Sequence, residues 1–171
     1  MRKLFNCLIA GAMVLPGASL AQVPALDPVS ARLLAVHNQE RLAHGAQPLR
    51  WDPALAAAAA SYGPSLAAIG TLQHSPKQSR PGQRENLWMG TRGAFAPEQM
   101  VGTWISEKRY FRPGVFPAVS STGNWLDVSH YTTMIWPTTT RVGCAIYRTV
   151  SWDFLICRYS PPGNIDGKPV S

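Results

Sequence analysis

Two cysteines near the end of the chain, Cys144 and Cys157, lie inside two alternating apolar runs and restrict the fold more than any other feature. The first run, Thr140 to Thr149, sets Val142, Cys144 and Ile146 on one face. The second, Trp152 to Tyr159, sets Asp153, Leu155, Cys157 and Tyr159 on one face. If the two strands pair antiparallel, a Cys144–Cys157 disulfide ties them as neighbours. The intervening Val150-Ser151 is a poor two-residue hairpin turn, which leaves the register open.

The N-terminus says where such a bond can form. Arg2 and Lys3 precede an apolar run from Leu4 to Leu15, followed by Pro16, Ser19 and Ala21. That is the pattern of a secretory signal peptide, residues 1–21, cleaved after Ala21. The run is too short to span a membrane comfortably, and Cys7 lies at its start, where it is lost with the signal rather than serving as a lipid anchor. Residues 22–171 then form one domain with no transmembrane segment, large enough to bury about 70% of its unfolded surface. In an oxidising compartment the remaining pair, Cys144 and Cys157, most simply makes one disulfide, worth about 3 kcal/mol in the chain-entropy model. The expected setting is secreted or periplasmic, as a monomer.

Charge narrows the partners. The whole chain carries a formal +7 at pH 7, part of it from Arg2 and Lys3. The basic residues are dispersed, with no run of five or six and no basic helical stripe interleaved with aromatics, so no nucleic-acid surface is expected. The charge keeps a secreted domain soluble and allows non-specific attraction to anionic cell-envelope surfaces.

Helices precede the strands. Asp27-Pro28 supplies an N-cap and first helical residue, Val29, Leu33, Leu34, His37 and Leu42 approximate an apolar face, and His44-Gly45 closes a helix from about Pro28 to His44. Asp52-Pro53 repeats the start, with Leu55, Ala58, Ala59, Tyr62, Leu66 and Ile69 at helical spacing before Gly70. Gly63-Pro64 is expected to kink or divide this helix. A third begins near Pro97, with Met100, Val101, Trp104 and Ile105 around one face and Glu107 near its edge. Arg112 to Asn124 reads as a long loop, and Pro161-Pro162-Gly163-Asn164 ends the sheet, with loose residues after it.

Four dispersed residues have the chemistry of a site: His74, Glu85, Glu107 and His130. Imidazole nitrogens and carboxylate oxygens suit a borderline ion such as zinc and also serve as general acid and base. Their spacing is not that of an H-E-x-x-H motif, and spacing alone does not bring them together. Ser75 beside His74 is no triad nucleophile, because adjacent residues rarely give the geometry and no G-x-S-x-G elbow is present. Most of the tryptophans at 51, 88, 104, 125, 136 and 152 are expected in the core.

The ordered landmarks carry a resemblance. They are His37-Asn38-Gln39-Glu40-Arg41, Trp51-Asp52, His74-Ser75, Glu85-Asn86-Leu87, Trp104 with Glu107, His130-Tyr131-Thr132 with Trp136, Val142-Gly143-Cys144-Ala145, and Cys157 to Asn164. The chain resembles the CAP superfamily of cysteine-rich secretory proteins, antigen 5 and pathogenesis-related proteins, in its small single-domain bacterial, SCP-like form. The resemblance implies an α+β fold, a three-layer α-β-α sandwich with a small, mainly antiparallel sheet between helices. It also implies that His74, His130, Glu85 and Glu107 line a central cavity in which His74 and His130 hold a divalent cation, often zinc. His37 and Asn38 then belong to the framework, and Asn86, Tyr131 and Thr132 support the cavity walls.

Arg84, Ser129 and Thr133 depart from the commoner pattern, a glycine being usual where Arg84 stands; Arg84 is expected either to hold Glu85 ionised or to occlude the cavity mouth. The function implied is a binding or interaction module for a small molecule, lipid, peptide or envelope component. The alternative is a metal-dependent, peptidase-like hydrolase with Glu85 or Glu107 as acid or base.

Overall fold

The computed structural model describes residues 25–170. The expected signal segment therefore lies outside the described residues, and among those residues no helix is long and apolar enough to cross a membrane.

Both Asp-Pro starts hold. Asp27 caps helix α1 (Pro28–Ala43) by accepting from the Val29 and Ser30 amides, and Asp52 caps α2 (Pro53–Ile69) by accepting from Ala54 and Leu55. The buried stripe of α1 differs from the expected one. Leu33, His37 and Arg41 face inward, while Val29 and Leu42 are exposed. The reason is Arg41, whose buried guanidinium donates to the carbonyls of Gln47, Met134, Trp136 and Thr139 and so satisfies four acceptors at once. Nor does Pro64 divide α2. The helix runs through it, burying Leu55, Ala59, Gly63 and Leu66 against the sheet, and Ile69 is left exposed. A Cβ at Gly63 would meet the Tyr147 ring at 2.5 Å, so the glycine is there for close approach.

The sheet has four strands in the order β1-β3-β4-β2: β1 (Arg50–Trp51), β2 (Arg84–Thr91), β3 (Arg141–Arg148) and β4 (Trp152–Ser160). Strand β1 runs parallel to β3, and the other pairs are antiparallel. Cys144 stands directly opposite Cys157, and the two are disulfide-bonded. The unfavourable Val150-Ser151 turn is rescued by Thr149, whose hydroxyl accepts from the Ser151 and Trp152 amides.

Two apolar faces make three layers. On one, α2 packs Ala59 and Leu66 against Leu87, Phe154 and Ile156. On the other, Leu33 of α1 and Met100, Val101 and Trp104 of α3 (Pro97–Ile105) pack against Val142, Cys144, Leu155, Cys157 and Tyr159. This is the expected three-layer α-β-α sandwich. Gly143 sets the closeness of the α2 layer, because a Cβ there would lie 2.3 Å from the Ala56 nitrogen.

After α3 the chain tightens into a 3-10 turn, Ser106–Tyr110, which carries Glu107. A second 3-10 turn, Trp125–Val128, leads into α4 (Ser129–Ile135). The C-terminal residues, expected to be loose, are pinned instead. Phe116 donates to Lys168, Gly167 to Phe116 and Val170 to Gly114, and the Val170 side chain is buried with Phe116, Val119 and Trp136.

Candidate functional site

The four candidates form two histidine–glutamate pairs. In the first, His74 Nδ1 lies 2.9 Å from Glu85 Oε1. In the second, His130 Nδ1 lies 2.6 Å from Glu107 Oε1. A carboxylate accepts, so each imidazole donates from Nδ1 and keeps the lone pair of Nε2 for another partner.

Glu85 stands near the start of β2, and its side chain is fully buried. Ser75 donates to it from its backbone amide at 3.0 Å and from Oγ at 2.8 Å. Its counter-charge is Arg158, opposite it in the β2–β4 register, with Nε 2.9 Å from Oε2. That Nε–H is not aligned for a hydrogen bond, so the contact is one of charge. Burial alone would raise the Glu85 pKa. The donors from His74 and Ser75 and the Arg158 charge outweigh it and hold the carboxyl below its ordinary value.

Arg84 does not serve as this counter-charge. Its guanidinium turns to the Gly163 and Asn164 carbonyls, at 2.7 and 2.5 Å. Gly163 reaches that position because it packs on Trp136, where a Cβ would come within 2.7 Å of the ring. Arg84 also lines the cleft beside His74.

Glu107 is set by the 3-10 turn that follows α3. Besides the His130 ring, it accepts from the His130 and Tyr131 amides through Oε2, both at 3.0 Å, and so satisfies donors at the start of α4 that have no acceptor within the helix. Its neighbour Lys108 pairs with Glu40, which also accepts from the Tyr131 hydroxyl, fixing the turn to α1. The His130 ring stacks on Trp104 with an interplanar angle of 13°.

Asn86 joins the halves. Its Nδ2 donates to the His130 carbonyl at 3.0 Å and to the Tyr159 hydroxyl at 3.3 Å. Tyr159 in turn meets His37 Nε2 at 2.8 Å, and His37 Nδ1 meets the Leu33 carbonyl at 2.7 Å. Asn38 exchanges two bonds with the Leu49 backbone, so both residues belong to the framework as expected. Tyr131 and Thr132 support α4, bonding to Glu40 and to the Ser129 carbonyl.

A cleft of about 440 Å³ is lined by His74, Glu85 and Asn86 on one side and by Trp125, Ser129, Thr133 and Asn164 on another. His130 and Glu107 do not line it. Among the described residues the trio of histidine, cysteine and acidic ligand atoms lying within 4.8 Å of one another is His37, Cys144 and Cys157. Its sulfurs are spent in the disulfide, so it offers no thiolate. The tetrad is therefore two oriented imidazoles backed by carboxylates, not a cluster of four ligands. Neutral imidazole nitrogens are the donor type a borderline divalent ion takes, and in each pair Nε2 is the nitrogen not engaged by a carboxylate.

Arg158 was the residue that sequence reasoning missed. Its partnership depends on strand register, which the sequence left open. Of the tryptophans expected mostly in the core, Trp88, Trp104 and Trp136 are buried, Trp51 and Trp125 pack partly buried against it, and Trp152 is exposed; Trp125 also lines the cleft.

The model of the cysteine-rich secretory protein family, CAP, matches residues 34–159. The chain belongs to the CAP family. Pathogenesis-related protein 1C of Nicotiana tabacum is 34% identical over 136 residues, covering 79% of this chain and 76% of that protein. Pathogenesis-related protein 1 of Arabidopsis thaliana is 36% identical over 163 residues, covering 94% and 90%. The crystal structure of NaASP2 with Zn2+ matches with a TM-score of 0.71 over 86% of this chain and 89% of that one. At 21% identity, that likeness is one of fold.

Proposed function

We propose that this CAP protein is a secreted or periplasmic binding module, of the single-domain bacterial form, whose paired histidines hold a divalent cation, zinc by preference. The observation that carries the reading is the orientation of both rings: each Nδ1 faces a glutamate, which leaves Nε2 of His74 and of His130 available as a metal ligand. When bound, the ion would offer a Lewis-acidic position to the donor group of a small molecule, lipid, peptide or envelope component. The chain's own residues position the rings: Glu85 and Glu107 fix their tautomers, Trp104 supports one ring face, and Asn86 holds the two halves together.

The hydrolase alternative gains no support from this geometry. A general base needs a carboxylate free to reach a water. Glu85 is fully buried and engaged by His74, Ser75 and Arg158, while Glu107 is engaged by His130 and the start of α4.

Zinc titration by calorimetry, on the wild type and on the His74→Ala/His130→Ala variant, tests the reading. One-site binding that vanishes in a folded double variant is expected. Binding that survives in that variant, or none in the wild type, would refute it.

A further inference from the structure

The cleft beside His74 continues into a second groove of about 530 Å³, and the two share Lys77, Arg80, Arg84 and Asn164 in their linings. Arg84 is half-buried and bonded only to backbone carbonyls. Arg80 is 8% exposed and likewise spends Nε and Nη1 on the carbonyls of Ser75 and Gln83, with no bond from Nη2 to a described residue. Lys77 is exposed and takes part in no ion pair among the described residues.

Carboxylates do not balance these cations. Glu85 is neutralised by Arg158. Asp166 lines the outer groove and makes no ion pair with any of the three. Burial, and then the neighbouring Arg80 charge, lower the Arg84 pKa against the pull of Asp166. Like charges held together in a concave, partly desolvated site create a potential that an incoming anion relieves.

We propose that this groove is an oxyanion site in which Lys77, Arg80 and Arg84 receive a dianionic phosphate group. Three cations against one carboxylate leave an excess matched by a phosphate dianion rather than by a single carboxylate, and guanidinium forks suit its tetrahedral oxygens. The site needs no metal, so it goes beyond the zinc reading. A ligand bearing a phosphate can lie with that group in the groove and its remainder in the cleft beside His74, between Trp125 and Asn164.

The test is a titration of chelator-treated protein with inorganic phosphate at fixed ionic strength, followed by backbone amide NMR, with acetate as the comparison anion. Saturable shifts at Lys77, Gly82, Arg84 and Asn164 are expected with phosphate, and binding weaker by about tenfold with acetate. Lys77→Glu, at an exposed position, should weaken phosphate about tenfold, and Arg84→Gln should weaken it by a similar factor. Since Arg84 also holds the Gly163 and Asn164 carbonyls, Lys77→Glu is the deciding variant. Non-saturating shifts, equal affinity for acetate, or wild-type affinity in Lys77→Glu would overturn the proposal. Zinc uptake measured on Lys77→Glu separates the two readings, because that variant removes neither imidazole.

Discussion

Acidification should expose the buried relay at His37. The ring is 0% exposed, and its partners settle its tautomer. The Leu33 carbonyl only accepts, so Nδ1 carries the proton and Nε2 accepts from the Tyr159 hydroxyl. A second proton would set two donors against each other at Tyr159, which already receives a bond from Asn86, and would place charge in the core beside Arg41. Burial first, reinforced by Arg41 and opposed by the Leu33 carbonyl, lowers the His37 pKa from 6.5 to about 4.

The sign follows from proton linkage. Between the unfolded value of 6.5 and the folded value of about 4, the unfolded chain binds a proton that the folded one excludes. Stability is therefore full above that window and falls as pH falls through it, by at most about 1.4 kcal/mol per pH unit and about 3 kcal/mol in all. Below the window both states carry the proton, and this group costs nothing further. Urea unfolding, followed by tryptophan fluorescence at several pH values, measures the effect in the wild type and in His37→Gln. The variant is less stable at neutral pH but has the shallower acid slope, so the gap between the two should narrow by about 3 kcal/mol on acidification. His44, whose pKa is also lowered by burial, and Glu85 are present in both proteins and cancel in the difference. Parallel pH profiles would refute the relay.

Two further outcomes are expected. Replacing Cys144 and Cys157 together by alanine opens a loop with a sequence separation of 13 and should cost about 3 kcal/mol in denaturant unfolding; a wild type whose intact mass shows two free thiols would contradict the bridge. Glu107→Gln keeps the shape but removes the charge from the His130 ring and the start of α4. It should weaken zinc uptake by about 10–100-fold and lower stability by about 1 kcal/mol, and unchanged zinc affinity would deny Glu107 its orienting role.

What could be read in the sequence is what is encoded locally. The Asp-Pro caps at 27–28 and 52–53, the apolar spacing after Pro97 and the two alternating cysteine runs all state their structure within a few residues. Strand β2 does not, because Arg84-Glu85-Asn86 open it with polar side chains that are satisfied only by tertiary partners: the 163–164 backbone, Arg158 with Ser75, and the His130 carbonyl. Helix α4 was hidden for a similar reason. Its Tyr131-Thr132-Thr133 run has weak helix propensity, and its first turn relies on Glu107, more than twenty residues away. The four site residues were named from family landmarks, but their division into two pairs depends on β2, whose strand character no local pattern announced.

That strand explains the division. β2 lies at the edge of the sheet, and its successive side chains point to opposite faces. Glu85 shares the α2 face with Leu87 and, across the ladder, with Arg158 and Ile156. Asn86 shares the opposite face with Trp88, Cys157 and Tyr159, where α3 and α4 pack. Two adjacent residues thus reach around one edge strand, one to the His74 pair and the other to the His130 pair. A site arranged this way is sensitive to register. Sliding β2 by one residue along β4 would exchange Glu85 and Asn86 between faces, strand Arg158 without its carboxylate and release the His130 carbonyl. The same slide would move Leu87 and Trp88 out of their separate apolar clusters. The hydrophobic pattern of β2 therefore holds the polar site in register, and the geometry of the two histidines is fixed by core packing on both sides of the sheet.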